Sequence, residues 1–404
     1  ATEAERAQVL ATAATIYVTD PAGAAIGIWQ PGTMTGISAR GEEGAPGWFE
    51  VLSSDYGALL PADTNGVMLP PGFTSRIVAV SGQTVAGTGH VWHPNPDGGA
   101  CYPTSGGGWV YVSNSETNTP GGGAGRIEFD ASGTVVAAGT ILSGTDRNCA
   151  GGPTPWGTWL SCEEVSRGLV WETDPFGVEV ALPRPGLGAF THEAAAVHAP
   201  TGHVYLTEDR TDGAFYRFIP VVPGELEAGA LQVMTEVGGV LGWAAVPDPG
   251  ATTAGSTRYQ VAGTKVFNGG EGIWCKGETL YFTTKGDNRL WSYVPALNLL
   301  SVLYDDDTSA TPVLTGVDNV PMPGGNGASH VFVAEDGGNL EIVAVDLETA
   351  GRPAVPFCRL TGRTSTEITG PAFNPAGDRL YFSSQRNPGE TFEVRGPFRQ
   401  HPPA

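Results

Sequence analysis

The side chains best equipped for chemistry are six metal-ligand types that recur along the chain: Asp97, Cys149, Glu193, Glu271, Asp318 and Glu367. Each opens a short run of small or apolar residues, such as DGGACYP, CAGGPTP, EAAAVH and EGIWCKG. Each also stands 10–14 residues ahead of an aromatic residue in a repeated pattern. Acids and cysteine together make up about one residue in eight, so an unbroken set of six is not expected by chance. Five carboxylates gathered in one place cannot all ionise unless positive charge joins them, and bound cations are the simplest source. Carboxylate oxygens suit calcium and other hard ions. A thiolate among them points to a transition metal as well. On the residues alone, solvated acids and a buried core thiol remain the other reading.

A second acidic tier follows the aromatic positions: Glu116, Glu163, Glu164, Glu208, Asp209, Asp287, Glu335 and Asp336. Turn chemistry accounts for most residues of this kind. Glu164 stands out because it ends the Cys-Glu-Glu run that follows the Cys149 segment. His192, beside Glu193, is placed to orient a ligand or to give a proton to a leaving group, and a satisfied structural histidine is the equal alternative. Glu271 and His192 are thus the candidate catalytic groups, and Asn114, in the strand ahead of Glu116, is a candidate for substrate binding. The pair His90 and His93 has no further histidine nearby and reads as loop rather than as a zinc site. Asp305, Asp306 and Asp307 read as a solvated loop. No nucleophile elbow and no phosphate-binding loop of the P-loop type occur.

The elements that must position these groups come from an internal repeat. Six segments share a turn, usually glycine-rich, an alternating strand and a polar tail, with aligned aromatics at Tyr111, Trp159, Tyr205, Tyr281, Phe332 and Tyr381. The spacings are 48, 46, 76, 51 and 49, and the long interval places extra residues near 220–262. A period near 50 with strand pairs is the mark of β-propeller blades. The expectation is an all-β, six-bladed β-propeller, with a large β-sandwich as the alternative. Each blade needs four strands, and LPPGFTSRIVAVSG (69–82) reads as a strand that completes the last blade. Residues 1–45 read as an N-terminal extension, with a short helix over 5–16, and 46–404 as the propeller. In such a ring the innermost strand starts converge on the mouth of the central channel.

Composition narrows the partners. The formal charge is −21, from 42 acids against 21 bases, and only Lys265, Lys276 and Lys285 are lysine. Such a surface repels nucleic acid and anionic membranes, so neither is expected as a partner. It repels a phosphate ester too, unless bound cations reverse the sign locally. A monomer acting on a small molecule is expected. The acidic, lysine-poor composition and the start at Ala1 fit an exported protein, secreted or periplasmic, in which five cysteines leave at least one thiol unpaired.

The segments NCAGGPTPWGTWLSCEE (148–164), FTHEAAAVHAPTGHVYLTEDRTDGAFYRFIP (190–220), EGIWCKGETLYFTTKGDNRLW (271–291), FVAEDGGN (332–339) and EITGPAFNPAGDRLYFSSQ (367–385) resemble the PhoX alkaline phosphatases and their shorter relatives. The resemblance implies a six-bladed propeller with a mixed iron (Fe3+) and calcium (Ca2+) cluster at the channel mouth. It also implies phosphomonoester hydrolysis and export by the twin-arginine route. By motif match Cys149, Glu164, Glu193 and Glu271 take the iron-site positions, and Asp97, Glu116, Asp318, Glu335 and Glu367 become calcium candidates. One departure matters. Phosphatase members resemble R-x-E-G-I at the fourth motif, where the arginine helps to hold phosphate, whereas this chain has Gly269-Gly270-Glu271-Gly272-Ile273. Lys265 and Arg289 are the nearby candidates to supply that charge. Two alternatives from other classes are a calcium-dependent lactonase-like propeller and a non-catalytic binding propeller stabilised by calcium.

Overall fold

Tight glycine turns and short alternating strands dictate hairpins. The computed structural model describes residues 56–309, 312–322, 330–348 and 354–398, together with three N-terminal strands: β1 (Ile16–Thr19), β2 (Ala25–Gln30) and β3 (Thr33–Gly36). The chain divides into two compact units, Ala1–Ser53 and Ser54–Ala404. In the first, β1, β2 and β3 form one antiparallel sheet. The helix expected over 5–16 lies outside the described residues except for Ile16, which opens β1. The expected border between residues 45 and 46 lies outside them too.

The second unit is a six-bladed β-propeller. Blade 1 holds β6 (Pro96–Pro103), β7 (Trp109–Ser115), β8 (Gly122–Phe129) and β9 (Val135–Thr145). Blade 2 holds β10 (Asn148–Pro153), β11 (Trp159–Glu163), β12 (Val170–Thr173) and β13 (Leu182–Pro183). Blade 3 has five strands: β14 (His192–His198), β15 (His203–Glu208), β16 (Phe215–Pro220), β17 (Gly229–Val237) and β18 (Val240–Ala245). Its extra hairpin and the loop that follows account for the long interval in the repeat. Blade 4 holds β19 (Gly270–Lys276), β20 (Thr279–Thr284), β21 (Arg289–Val294) and β22 (Leu299–Asp305).

The N-terminal part of this unit is shared between the last two blades. In blade 5, β23 (His330–Ala334), β24 (Glu341–Asp346) and β25 (Ala354–Leu360) are extended by β4 (Val67–Met68). Residues 317–322 form its inner edge: Asp318 N donates to Ala334 O at 2.9 Å and Ala334 N to Asn319 O at 3.0 Å. The prolines in DNVPMP remove donors from the ladder and keep this edge irregular. In blade 6, β26 (Ile368–Phe373), β27 (Arg379–Ser384) and β28 (Glu390–Arg395) are completed by β5 (Thr74–Val80), which pairs antiparallel with β28. A strand from 69–82 therefore does close the last blade, as the sequence predicts.

The aligned strands are largely buried on both faces, and their side chains pack on the neighbouring blades. The result is six apolar clusters, one at each seam of the ring. Tyr111 of blade 1 stacks on Tyr381 of blade 6 at 4.9 Å, and Phe215 of blade 3 on Phe282 of blade 4 at 4.6 Å. Burying such aromatics contributes a few kcal/mol each, roughly 1.5–3. At the hub the inner strands approach too closely for side chains. A Cβ on Gly98 would lie 2.4 Å from Ala150 Cα, and one on Gly152 would lie 1.7 Å from Ala195 O. The glycines that follow Asp97, Cys149, Glu271 and Glu367 (Gly98, Gly152, Gly272 and Gly370) are thus a requirement of closure.

Candidate metal centre at the channel mouth

Two side-chain positions per blade build the mouth. The first is the start of the innermost strand, occupied in turn by Asp97, Cys149, Glu193, Glu271, Asp318 and Glu367. The second lies just past the end of the next strand, occupied by Glu116, Glu164, Asp209, Lys285, Asp336 and Gln385. These twelve, with Arg147 and Arg386, line a cavity of about 310 Å³. In blades 1 to 4 the ladder register slips across the first position, between Pro96 and Gly99, Asn148 and Gly151, His192 and Ala195, and Gly270 and Ile273. Such bulges bend a strand and re-aim a side chain, here toward the axis.

Neighbouring blades also hold these positions by their backbone. Thr207 Oγ1 donates to Glu271 O at 2.6 Å, and Thr283 Oγ1 to Asp318 O at 2.6 Å. Asn114 does the same for the thiol position: its Nδ2 donates to Cys149 O at 3.0 Å and Ala150 O at 2.8 Å. Its Oδ1 accepts from Trp159 Nε1 at 2.9 Å and Ser161 Oγ at 2.8 Å. Asn114 is therefore saturated and buried. It positions Cys149 rather than facing a substrate.

Nine carboxylates, one thiol and three cations line the cavity. Two sets of donors stand with their ligand atoms within 4.8 Å of one another: Cys149, Glu164 and Glu193, and then Glu193, Glu271 and Asp318. Glu193 belongs to both, and Cys149 Sγ lies 3.3 Å from its Oε1. Burial, reinforced by neighbouring carboxylates, pushes Glu193, Glu271 and Asp318 well above the ordinary carboxylate range. Burial lifts Asp97 to about 7, with Glu116 adding repulsion. Burial lifts Glu164 to about 8 against the pull of Arg147, and Glu367 to about 9 with Asp336 beside it. The Cys149 thiol is raised by burial and by Asp97 and Glu193. This is the chemistry of a donor set that takes up further positive charge: the buried acids resist ionising even where Arg147, Lys285 or Arg386 stands beside them.

The three cations present are committed to these acids. Arg147 bridges Glu116 and, at 2.6 Å, Glu164. Arg386 contacts Glu367 and, at 3.4 Å, Glu116. Lys285 Nζ lies 2.9 Å from Glu271, 3.3 Å from Asp336 and 3.4 Å from Asp209. Gln385 Nε2 donates to Asp97 at 2.5 Å and Glu116 at 2.9 Å. Its buried Oε1 finds no partner, which leaves a bare oxygen donor in the cavity. That orphan and the mixed thiol–carboxylate set fit a group of bound cations.

Most of the expected residues meet here, and some do not. Asp97, Glu116, Cys149, Glu164, Glu193, Glu271, Asp318 and Glu367 all line the cavity. Glu335 does not. Its carboxylate turns into its own blade, accepting from Thr315 N at 2.8 Å and Glu341 N at 3.2 Å, and Asp336 takes the cavity position. Glu163 and Glu208 behave alike, tied to Leu169 N at 2.9 Å and Tyr216 OH at 2.8 Å. In each acid pair the first member closes a loop and the second faces the axis.

His192 points away from the mouth because adjacent strand residues face opposite ways. It is buried, its ring lies tilted against Phe190 at 3.6 Å, and its Nε2 contacts Gly188 O at 3.0 Å. Burial lowers it to about 4. Lys265 pairs with Glu236 at 2.7 Å, and Arg289 with Asp287 and Asp305 at 2.9 Å. Neither lines the cavity. The cations that do, Arg147, Lys285 and Arg386, were not singled out by sequence, although Lys285 and Gln385 occupy the same repeat position as Glu116 and Glu164. All five cysteines are free thiols. No helix of the described residues is long and apolar enough to cross a membrane.

Comparison with known proteins supports the resemblance read from the motifs. The family model described as alkaline phosphatase PhoX matches residues 105–174 and 165–289. That span holds Glu116, Cys149, Glu164, Glu193, Glu271 and Lys285. No curated protein matches the chain by sequence. Among solved structures, Pseudomonas fluorescens PhoX in complex with vanadate, a transition state analogue, matches with a TM-score of 0.67. The identity is 16%, over 84% of this chain and 97% of that one. A Bacteroides thetaiotaomicron protein of unknown function matches with a TM-score of 0.52 at 6% identity, over 80% of this chain and 76% of that one. At these identities the likeness shows the propeller fold.

Proposed function

We propose that this chain is a metal-dependent phosphate-ester hydrolase whose working centre is the mouth of the propeller channel. The observation that carries the reading is the pair of donor sets joined at Glu193, one of them containing the Cys149 thiol. The PhoX match over the segments that supply these donors supports it. Cys149, Glu164 and Glu193 would hold a transition metal, iron by resemblance, because a thiolate favours it. Glu271 and Asp318 would share the next ion with Glu193. Asp97, Glu116, Glu367 and the Gln385 carbonyl offer the all-oxygen surroundings that calcium takes.

When bound, such cations supply the positive charge that draws in a phosphoryl group and the Lewis acidity that activates a water. The chain's own residues do the rest. Gln385 and Asn114 fix donor orientation, and the rigid hub keeps the donors from spreading. Arg147 and Lys285 each touch one ligand of a different donor set, at Glu164 and Glu271, so each stands beside an expected ion. An extracytoplasmic location is part of the same reading. It would place an enzyme of this kind where phosphate esters are scavenged.

The test is elemental analysis of the purified protein, followed by a panel of mono-, di- and triesters. Iron and calcium in the protein with turnover of a phosphate ester is the expected result. No turnover of any ester, with metal occupancy confirmed, rejects the assignment.

A further inference from the structure

We infer that Lys285 is the residue that grips the substrate's phosphoryl oxygens; this rests on the phosphate-ester reading and names a residue for it. Lys285 is the one cation among the six outer positions of the mouth, where the other blades place Glu116, Glu164, Asp209, Asp336 and Gln385. Its ammonium sits among acids from three successive blades: Asp209, Glu271 and Asp336. Of these, Glu271 alone belongs to a donor set that closes around a common point. Glu271, as a ligand of a cation shared with Glu193 and Asp318, would be drawn away from Lys285. Asp209 and Asp336 would then keep two of the three ammonium N–H groups, and the third would be left for an anionic oxygen drawn to that cation.

The backbone holds this arrangement in place. Gly270 pairs with Thr284 across β19 and β20, so Gly269 faces Lys285, whose N donates to Gly269 O at 2.7 Å. Gly269 has φ +70°, and a Cβ there would lie 3.3 Å from Asp209 Oδ1 and 3.5 Å from Lys285 Cβ. A side chain at 269 would be strained by that φ and would sit tight against Asp209, one of the acids that hold the ammonium, while only touching the lysine stem. The side chain is 36% exposed, so the ammonium can meet an incoming anion.

The experiment compares the metal-loaded protein with Lys285→Met and Lys285→Arg, each with its metal content measured. Inorganic phosphate binding is read by calorimetry, and ester hydrolysis by KM and kcat. The expected result is phosphate binding weakened about 10- to 100-fold in Lys285→Met at unchanged metal content, with most of it recovered in Lys285→Arg. KM for a monoester dianion should rise more than KM for a diester monoanion. Equal phosphate affinity in Lys285→Met and the parent overturns the inference. So does a Lys285→Met that loses a metal ion together with phosphate affinity, if Lys285→Arg restores neither. A metal-loaded parent that binds no phosphate overturns the phosphate-ester reading itself, before any variant is made.

Discussion

The two sides of the mouth carry the same acids and treat them differently. Across blades 2 to 5, Cys149, Glu164, Glu193, Glu271 and Asp318 crowd into two donor sets that share Glu193. Only Arg147 at the outer edge and Lys285 offset their charge. Across blades 6 and 1, Asp97, Glu116 and Glu367 stand beside Gln385 and Arg386, which already donate to them. Both sides hold more acids than cations, but the acids of blades 6 and 1 each already accept from Gln385 or Arg386, whereas Glu193 and Asp318 make no ion pair among the described residues. The difference teaches where dependence on metal should be greatest, and that is the side holding the thiol.

The largest effect should come from the shared ligand. Glu193→Gln keeps the shape but removes charge from both donor sets, so metal content should fall and ester hydrolysis should drop by at least about 100-fold. Equal losses from Glu193→Gln and Glu367→Gln would erase the distinction between the two sides. Cys149→Ser comes next. It should strip the transition metal while leaving calcium in place, read by elemental analysis of the purified variant. Unchanged metal content and activity would favour the lactonase-like alternative, which has no use for a thiolate.

Removing the ions should expose a pH dependence. Asp97, Glu164 and Glu367 have folded-state pKa values of about 7, 8 and 9, above those of an unfolded chain. The folded state then holds more protons, so stability falls as pH rises from about 4 through these values. A chelated sample should melt on the order of 5 °C lower at pH 9 than at pH 5, and the metal-loaded sample should lose less. A melting curve unmoved by verified metal removal would contradict the gathered carboxylates. The smallest effect belongs to the side already tied to Gln385 and Arg386. Arg386→Met removes a half-exposed ion pair and should cost about 1 kcal/mol or less by denaturant titration. It should leave the transition-metal content intact. Loss of that metal would show that the two sides act as one unit.

The architecture was legible because closure of a propeller repeats the same demands in every blade. An aromatic must fill each seam, small residues must line the hub, and a donor can stand at each inner strand start. Those demands recur at a fixed spacing, so spacing alone gathers Asp97, Cys149, Glu193, Glu271, Asp318 and Glu367. The outer tier was only partly legible. Adjacent acids such as Glu335 and Asp336 look alike in a string, and strand geometry alone decides that one closes a loop while its neighbour faces the axis. His192 shows the same limit, since it follows its strand's alternation into the core while Glu193 faces the mouth.

The sequence by itself determined the number of blades and the carboxylate or thiol at each inner strand start, because these depend on residue identity and period. Only the tertiary structure decided which cations answer those donors. Arg147, Lys285 and Arg386 reach the mouth through long side chains crossing between blades, whereas Lys265 and Arg289, with the same charges, bind acids elsewhere. Charge is written in the chain, but the partner of a charge is set by distance, and distance between blades exists only once the ring has closed.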